Sequence, residues 1–182
     1  AMRDAFLADF WDKEAQRFGS AIDVDGLTDM DNISIGWTLN TSFWDEVPKE
    51  MRAHHISAIV RRLFSDDMLT PVGIRTRAIS QPQPLPGVIE YHGSATIWPM
   101  FNFMVIEGLR RHGLLQLAEQ LENRLINGLN AVKDFDEFFV VDREGSLMRR
   151  AMDGQKPEIT LTAQMAPEQE IAFSVVPALT LA

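Results

Sequence analysis

The feature that most constrains this chain is an alternation between two kinds of helical segment. Residues 3–17 read as a one-faced helix, with Phe6, Leu7, Phe10 and Trp11 set against Asp9, Asp12, Lys13 and Glu14, and with Gly19 as its stop. Residues 33–45 carry Ile33, Ile35, Trp37, Leu39, Phe43 and Trp44 on more than one face, the mark of a buried helix. Residues 48–65 return to a single stripe of Ile56, Ile59, Val60, Leu63 and Phe64 behind Pro48. Arg52, Arg61 and Arg62 lie off that stripe. Residues 95–111 are again apolar nearly all round, and Pro99 fits the first turn, where no amide donor is lost. Gly113 then turns the chain into a striped helix, 114–132, carrying Leu114, Leu117, Ala118, Leu121, Leu125, Leu129 and Val132. A last segment, from about Pro167 to 181, is largely apolar after Glu170.

The connections alternate too. Those leaving a buried helix are short, about 45–48 and 112–114; those entering one are long, about 18–32, 66–94 and 133–164. Antiparallel helix pairs joined in this way place every long segment at one end, above the N-termini of the buried helices. The expected fold is therefore all-α, a toroid of outer–inner helix pairs forming a single domain over 1–182, with short strands in the long loops. Loops carry chemistry on a rigid scaffold, so the site is expected at that end.

Composition narrows what the chemistry is. Of 182 residues, 46% are apolar, enough for a real core, and the net charge of −9 opposes nucleic acid and anionic membrane surfaces as partners. The absence of cysteine excludes disulfides, thiol catalysis and thiolate metal sites. No basic region followed by an apolar run stands at the start, and no apolar run reaches the roughly 18 residues of a membrane span, so a cytoplasmic location is expected. The Asp-rich stretch Asp23-Val24-Asp25-Gly26 lacks the later ligands of a calcium loop and reads as an Asx-rich turn leading into a helix cap. His54-His55 has no third metal ligand nearby and reads as surface.

The long segments bring together Asp31, Asn32, Arg75, Arg77, Glu90, Tyr91, His92, Trp98, Asp136, Glu137 and Asp142. Carboxylates among aromatic rings are the materials of glycoside hydrolysis, in which one carboxylic acid protonates the leaving oxygen. A second, in inverting enzymes, activates water from about 6.5–9.5 Å away. Glu137, between Asp136 and Phe138-Phe139, is the best carboxylate candidate. Each pick has a plain structural alternative: an exposed turn for Glu137, a satisfied loop histidine for His92, and a core position for Trp98, which periodicity favours.

Several blocks go beyond composition. Gly73-Ile74-Arg75-Thr76, Tyr91-His92-Gly93-Ser94, Trp98-Pro99 and Glu107-Gly108-Leu109-Arg110-Arg111-His112-Gly113-Leu114 resemble, in order and spacing, the carboxyl-terminal half of the glycogen-debranching amylo-alpha-1,6-glucosidase family. Asp136-Glu137-Phe138-Phe139 resembles that family's P-E-L-F segment, and Pro167-Glu168-Gln169 the start of its final inner helix. The resemblance spans about residues 20–180 and is more specific to (α/α)6-barrel glycosidases as a group than to one substrate.

It implies half of an (α/α)6 toroid, inverting hydrolysis of alpha-glucosidic substrates, and no metal or organic cofactor. Glu137 matches the family's general base; Tyr91, His92 and Trp98 match its sugar subsite, with Arg75 beside them as a further substrate-binding candidate. Two departures stand out: the turn before Trp98 is one residue longer, and Asp136 replaces a proline. The family's general acid lies upstream of the matching region. The chain is thus expected to carry the base and the subsite aromatics without the acid, to be inactive alone, and to self-associate or cover its inner helices with a partner chain. A non-catalytic carbohydrate-binding protein or helical scaffold is the competing expectation.

Overall fold

The computed structural model describes residues 2–28, 31–81, 90–132 and 137–148. The expected sixth helix, Pro167-Glu168-Gln169 and Asp136 lie outside them. Four α-helices are present among the described residues: α1 (Met2–Asp9), α2 (Lys49–Leu63), α3 (Pro99–Arg111) and α4 (Leu115–Val132). Four antiparallel ribbons accompany them. They are β1 (Trp11–Asp12) with β2 (Arg17–Phe18), β3 (Ile22–Asp23) with β4 (Gly26–Leu27), β5 (Leu69–Thr70) with β6 (Gly73–Ile74), and β7 (Thr96–Ile97) with β8 (Phe139–Val140). The fold is therefore helical with short strands rather than all-α.

Three expectations are corrected by local chemistry. The first helix stops at Asp9 instead of continuing to 17, because the Asp12 carboxylate accepts the N–H groups of Glu14 and Ala15, both at 2.9 Å. That Asx turn competes with helix and folds Trp11 back onto Phe18. The second segment is not α-helix but two 3-10 pieces, Ile33–Asn40 and Ser42–Trp44. Its hydroxyls favour the tighter winding: Thr38 Oγ1 donates to Ile35 O at 2.8 Å and Thr41 Oγ1 to Thr38 O at 2.7 Å, each three residues back. Asn32 caps it, its Oδ1 accepting Ser34 N–H at 2.9 Å. The helix expected from 95 begins at Pro99, because Thr96 and Ile97 pair with Val140 and Phe139.

The two striped helices α2 and α4 fall where periodicity places them. The turn between α3 and α4 is a Schellman motif: Leu114 N–H reaches Leu109 O at 2.9 Å and Gly113 N–H reaches Arg110 O at 3.0 Å, with Gly113 at φ 72°. The 3-10 segment lies between α2 and α3, and two glycines let the backbones close up. A methyl at Gly36 would meet Leu63 at 2.6 Å and Val105 at 2.9 Å; one at Gly108 would meet Leu39 at 2.5 Å. Fully buried Ile33, Leu39, Leu63, Val105, Ile106, Leu109 and Leu121 fill the space between these elements, each worth about 1.5–3 kcal/mol of burial. His55, expected at the surface, is 6% exposed and packs against Trp11, Phe18 and Trp44. No helix among the described residues is long and apolar enough to cross a membrane.

The described parts of the long connections meet at one end, and a chain of backbone bonds joins them. Ile33 N–H reaches Thr76 O at 3.0 Å, Thr76 N–H reaches Thr96 O at 2.9 Å, and Val141 N–H reaches Ala95 O at 2.9 Å. Asn32 also bridges Arg77. Backbone from around 32, 76, 96 and 140 thus forms one stitched floor above the starts of the 3-10 segment and α3.

Candidate functional site

The floor positions a compact aromatic cluster. Trp98 is the last residue before α3, and Phe101 lies one turn further on the same helix face. Their rings stack at 4.9 Å and 12°. Phe138, leading into β8, stacks on Trp98 from another side at 5.3 Å, and His92 does so at 4.9 Å. Tyr91 stands edge-on to Trp98 at 4.7 Å and 85°, and to Phe138 at 5.5 Å and 87°. The pairing of β7 with β8 is what sets Phe138 against Trp98, forty residues away in sequence.

Glu137 sits at this cluster. It is 6% exposed, and its Oε1 accepts a hydrogen bond from the Tyr91 hydroxyl. Burying a carboxylate is costly unless donors meet it, and the phenol is one such donor. Tyr91 and His92 are both exposed at the rim. Packing against neighbouring rings lowers the pKa of His92, while the Glu137 charge pulls it upward; the balance is downward. A neutral imidazole at neutral pH offers one donor and one acceptor to a polyhydroxylated ligand.

The four other expected site residues divide. Tyr91 and His92 stand exposed beside buried Glu137. Trp98 is 3% exposed, so its ring faces are covered by neighbouring rings, and its indole N–H donates to Tyr91 O at 3.1 Å. The periodicity reading of a core position describes it better than a ligand platform. Arg75 is 2% exposed and does not face an opening. Its guanidinium donates to Ser94 O at 2.7 Å, Asp142 O at 2.9 Å and Arg143 O at 2.7 Å, tying the second long connection to the third. Its geometry is that of a brace.

Sequence reasoning passed over three contributors. Phe101 was discoverable, since it follows Trp98 by three residues on a helix. Thr96 was not: its hydroxyl lies 3.2 Å from Tyr91 O, 3.0 Å from Gly93 O and 3.2 Å from Thr76 Oγ1, contacts that exist only once the floor forms. The third is a pairing: Arg77 forms an ion pair with Glu90 beside the site, where Glu90 also packs over Gly93.

No known family matches the sequence, and no curated protein matches it. Among solved structures the chain is similar to the neutral trehalase Nth1 from Saccharomyces cerevisiae, with a TM-score of 0.58 at 17% identity. The likeness covers 71% of this chain and 22% of that one, so the chain spans well under two thirds of its structural neighbour. At this identity the likeness is one of fold: the chain shares the architecture of part of that trehalase.

Proposed function

We propose that this chain carries the water-activating side of an inverting glycosidase site for alpha-glucosidic saccharides. The observation that carries the reading is Glu137, a buried carboxylate held by a phenol among aromatic rings at the long-loop end of a glycoside-hydrolase-like fold. In this reading water attacks the anomeric carbon while the Glu137 carboxylate takes its proton, and the bond to the leaving oxygen breaks as a separate acid protonates it. Exposed His92, with the outer edge of Tyr91, meets the sugar. Trp98 and Arg75 hold that wall in place from behind. The neighbour's name adds trehalose to malto-oligosaccharides as a sensible probe.

The test separates base from acid. Alpha-D-glucosyl fluoride releases fluoride, a leaving group that needs no proton from an acid, so a site with only the base should turn it over. The expected result is slow hydrolysis yielding beta-glucose first, with Glu137→Gln lowering the rate about 10²–10⁴-fold. Titration with maltose, maltotriose and trehalose should change tryptophan fluorescence, and Trp98→Phe should remove the change. Saccharide binding without fluoride turnover would point instead to a non-catalytic binding protein; neither response would end the carbohydrate reading.

A further inference from the structure

Tyr91 is the sole tyrosine in the chain, and every part of it is fixed. Its carbonyl oxygen accepts the Trp98 indole N–H at 3.1 Å and lies 3.2 Å from the hydroxyl of fully buried Thr96. Its ring is set edge-on to three other rings, His92, Trp98 and Phe138. Its hydroxyl proton goes to Glu137 Oε1, across 46 residues of sequence. Thr96 is itself anchored in the floor, since its carbonyl accepts Thr76 N–H at 2.9 Å and Thr76 Oγ1 at 3.0 Å. The order of support is therefore floor, Thr96 and Trp98, Tyr91 backbone, Tyr91 hydroxyl, Glu137.

We propose that Tyr91 is a positioning residue, whose phenol O–H orients the Glu137 carboxylate for water activation, and that Trp98 and Thr96 act through it by fixing its backbone. This rests on the reading of Glu137 as the general base. The physical case is one of geometry. A carboxylate on a flexible side chain activates water well only when its plane is held, because misplacement by about 1 Å costs on the order of 10²-fold in rate. A phenol is a neutral donor, so it fixes the plane without compensating the negative charge as a guanidinium would. The ring faces and edges that border the rim remain a separate matter, and they are unchanged when the hydroxyl is removed.

Tyr91→Phe keeps the ring and deletes only the hydrogen bond. With alpha-D-glucosyl fluoride as substrate for the full chain, it should lower kcat about tenfold, the effect of losing one hydrogen bond of about 1.4 kcal/mol in the transition state, at unchanged KM. Thr96→Val should lower kcat by less, also at unchanged KM. A raised KM with kcat intact would make the Tyr91 hydroxyl a sugar contact instead of a partner that orients Glu137, and would overturn the proposal, as would no change in either. If the wild-type chain shows no fluoride turnover, the base reading fails separately. The orientation is then read from carboxyl-¹³C glutamate, with the Glu137 line identified by its loss in Glu137→Gln. That line should move and broaden in Tyr91→Phe; an unmoved line overturns the proposal. If Tyr91→Phe does not fold, the single tyrosine ¹³Cζ line is compared between wild type and Glu137→Ala, where it should move, and an unmoved line again overturns it.

Discussion

The side-chain amide of Asn102 is bonded at both ends to the backbone of one residue, Ile74. Its Oδ1 accepts the Ile74 N–H at 2.7 Å, and its Nδ2 donates to the Ile74 carbonyl at 3.1 Å, with Trp98 O also 3.0 Å from Nδ2. Asn102 is fully buried on α3, so it does the work of a neighbouring strand for a β6 residue that, among the described residues, has none on that side. Replacing it with Leu keeps the branched heavy-atom shape but leaves a buried donor and a buried acceptor unmatched, at about 1–3 kcal/mol each. Asn102→Leu should lose about 2–4 kcal/mol in urea unfolding, and it should loosen the start of the floor on which Arg75 and Thr76 stand.

The close approach of α3 to the 3-10 segment gives a second expectation. A methyl at Gly108 would sit 2.9 Å from Asn40 N as well as 2.5 Å from Leu39 Cβ, so part of what it meets is backbone. Ala is ordinarily the better helix residue by up to about 1 kcal/mol. Here crowding outweighs that gain, and Gly108→Ala should destabilise by about 1–3 kcal/mol. A thermal midpoint above that of the wild type would count against this packing.

Histidine burial predicts a pH dependence. Burial lowers the pKa of His55, and the neighbouring His54 lowers it further, while the Met51 carbonyl pulls it upward. The folded state therefore resists protonation of His55, whereas the unfolded chain accepts it near the ordinary value of 6.5. Stability is highest above that pH and declines as pH falls through it, levelling off below the folded pKa. His92 and His112 are shifted in the same direction, also through burial, and add to the slope. His55→Phe should flatten part of the decline in denaturation midpoint between about pH 7 and pH 5.

A second titration acts at more acid pH. Arg62 pairs with Asp67 through two bonds, 2.5 Å and 2.9 Å, and reaches Asp31 at 2.8 Å, where Arg17 also donates at 2.6 Å. The guanidinium holds the Asp67 carboxyl well below the usual carboxylate range. A depressed carboxylate contributes stability above its unfolded pKa, near 3.8, and that contribution is lost as pH falls through the folded value. Arg62→Met should cost about 3 kcal/mol at neutral pH, since it removes the guanidinium from Asp67 and leaves Asp31, at 7% exposure, with Arg17 as its remaining cation, and it should weaken the acid dependence below about pH 4. An unchanged acid limb in the variant would assign that dependence to other carboxylates.

At the candidate site, His92→Ala should weaken saccharide binding by about tenfold or more, while leaving the folded spectrum intact, because the residue is exposed at the rim. Equal affinity for wild type and variant, measured by titration calorimetry, would remove His92 from the sugar wall.

Sequence alone determined the parts of this protein that depend on one-sided burial. The stripes on 48–65 and 114–132 place α2 and α4, because an amphipathic face needs only one partner and its period survives whatever that partner is. Gly113 fixes the turn between α3 and α4, and the alternation of short and long connections brings the long ones to one end. That arrangement puts Tyr91, His92 and Glu137 at the same end of the molecule. Tertiary structure decided the rest, for identifiable reasons. Asp12 and Thr38 offered local hydrogen bonds that outcompeted an α-helix, and periodicity does not register such bonds. His55 and Trp98 became core because rings from distant segments enclosed them, and the guanidinium of Arg75 met three carbonyls before it could face a ligand. The bond between Tyr91 and Glu137 joins two residues whose meeting depends on the pairing of Thr96–Ile97 with Phe139–Val140. Spacing along the chain carries no trace of that pairing, because it is formed between loops that only the packed helices bring together.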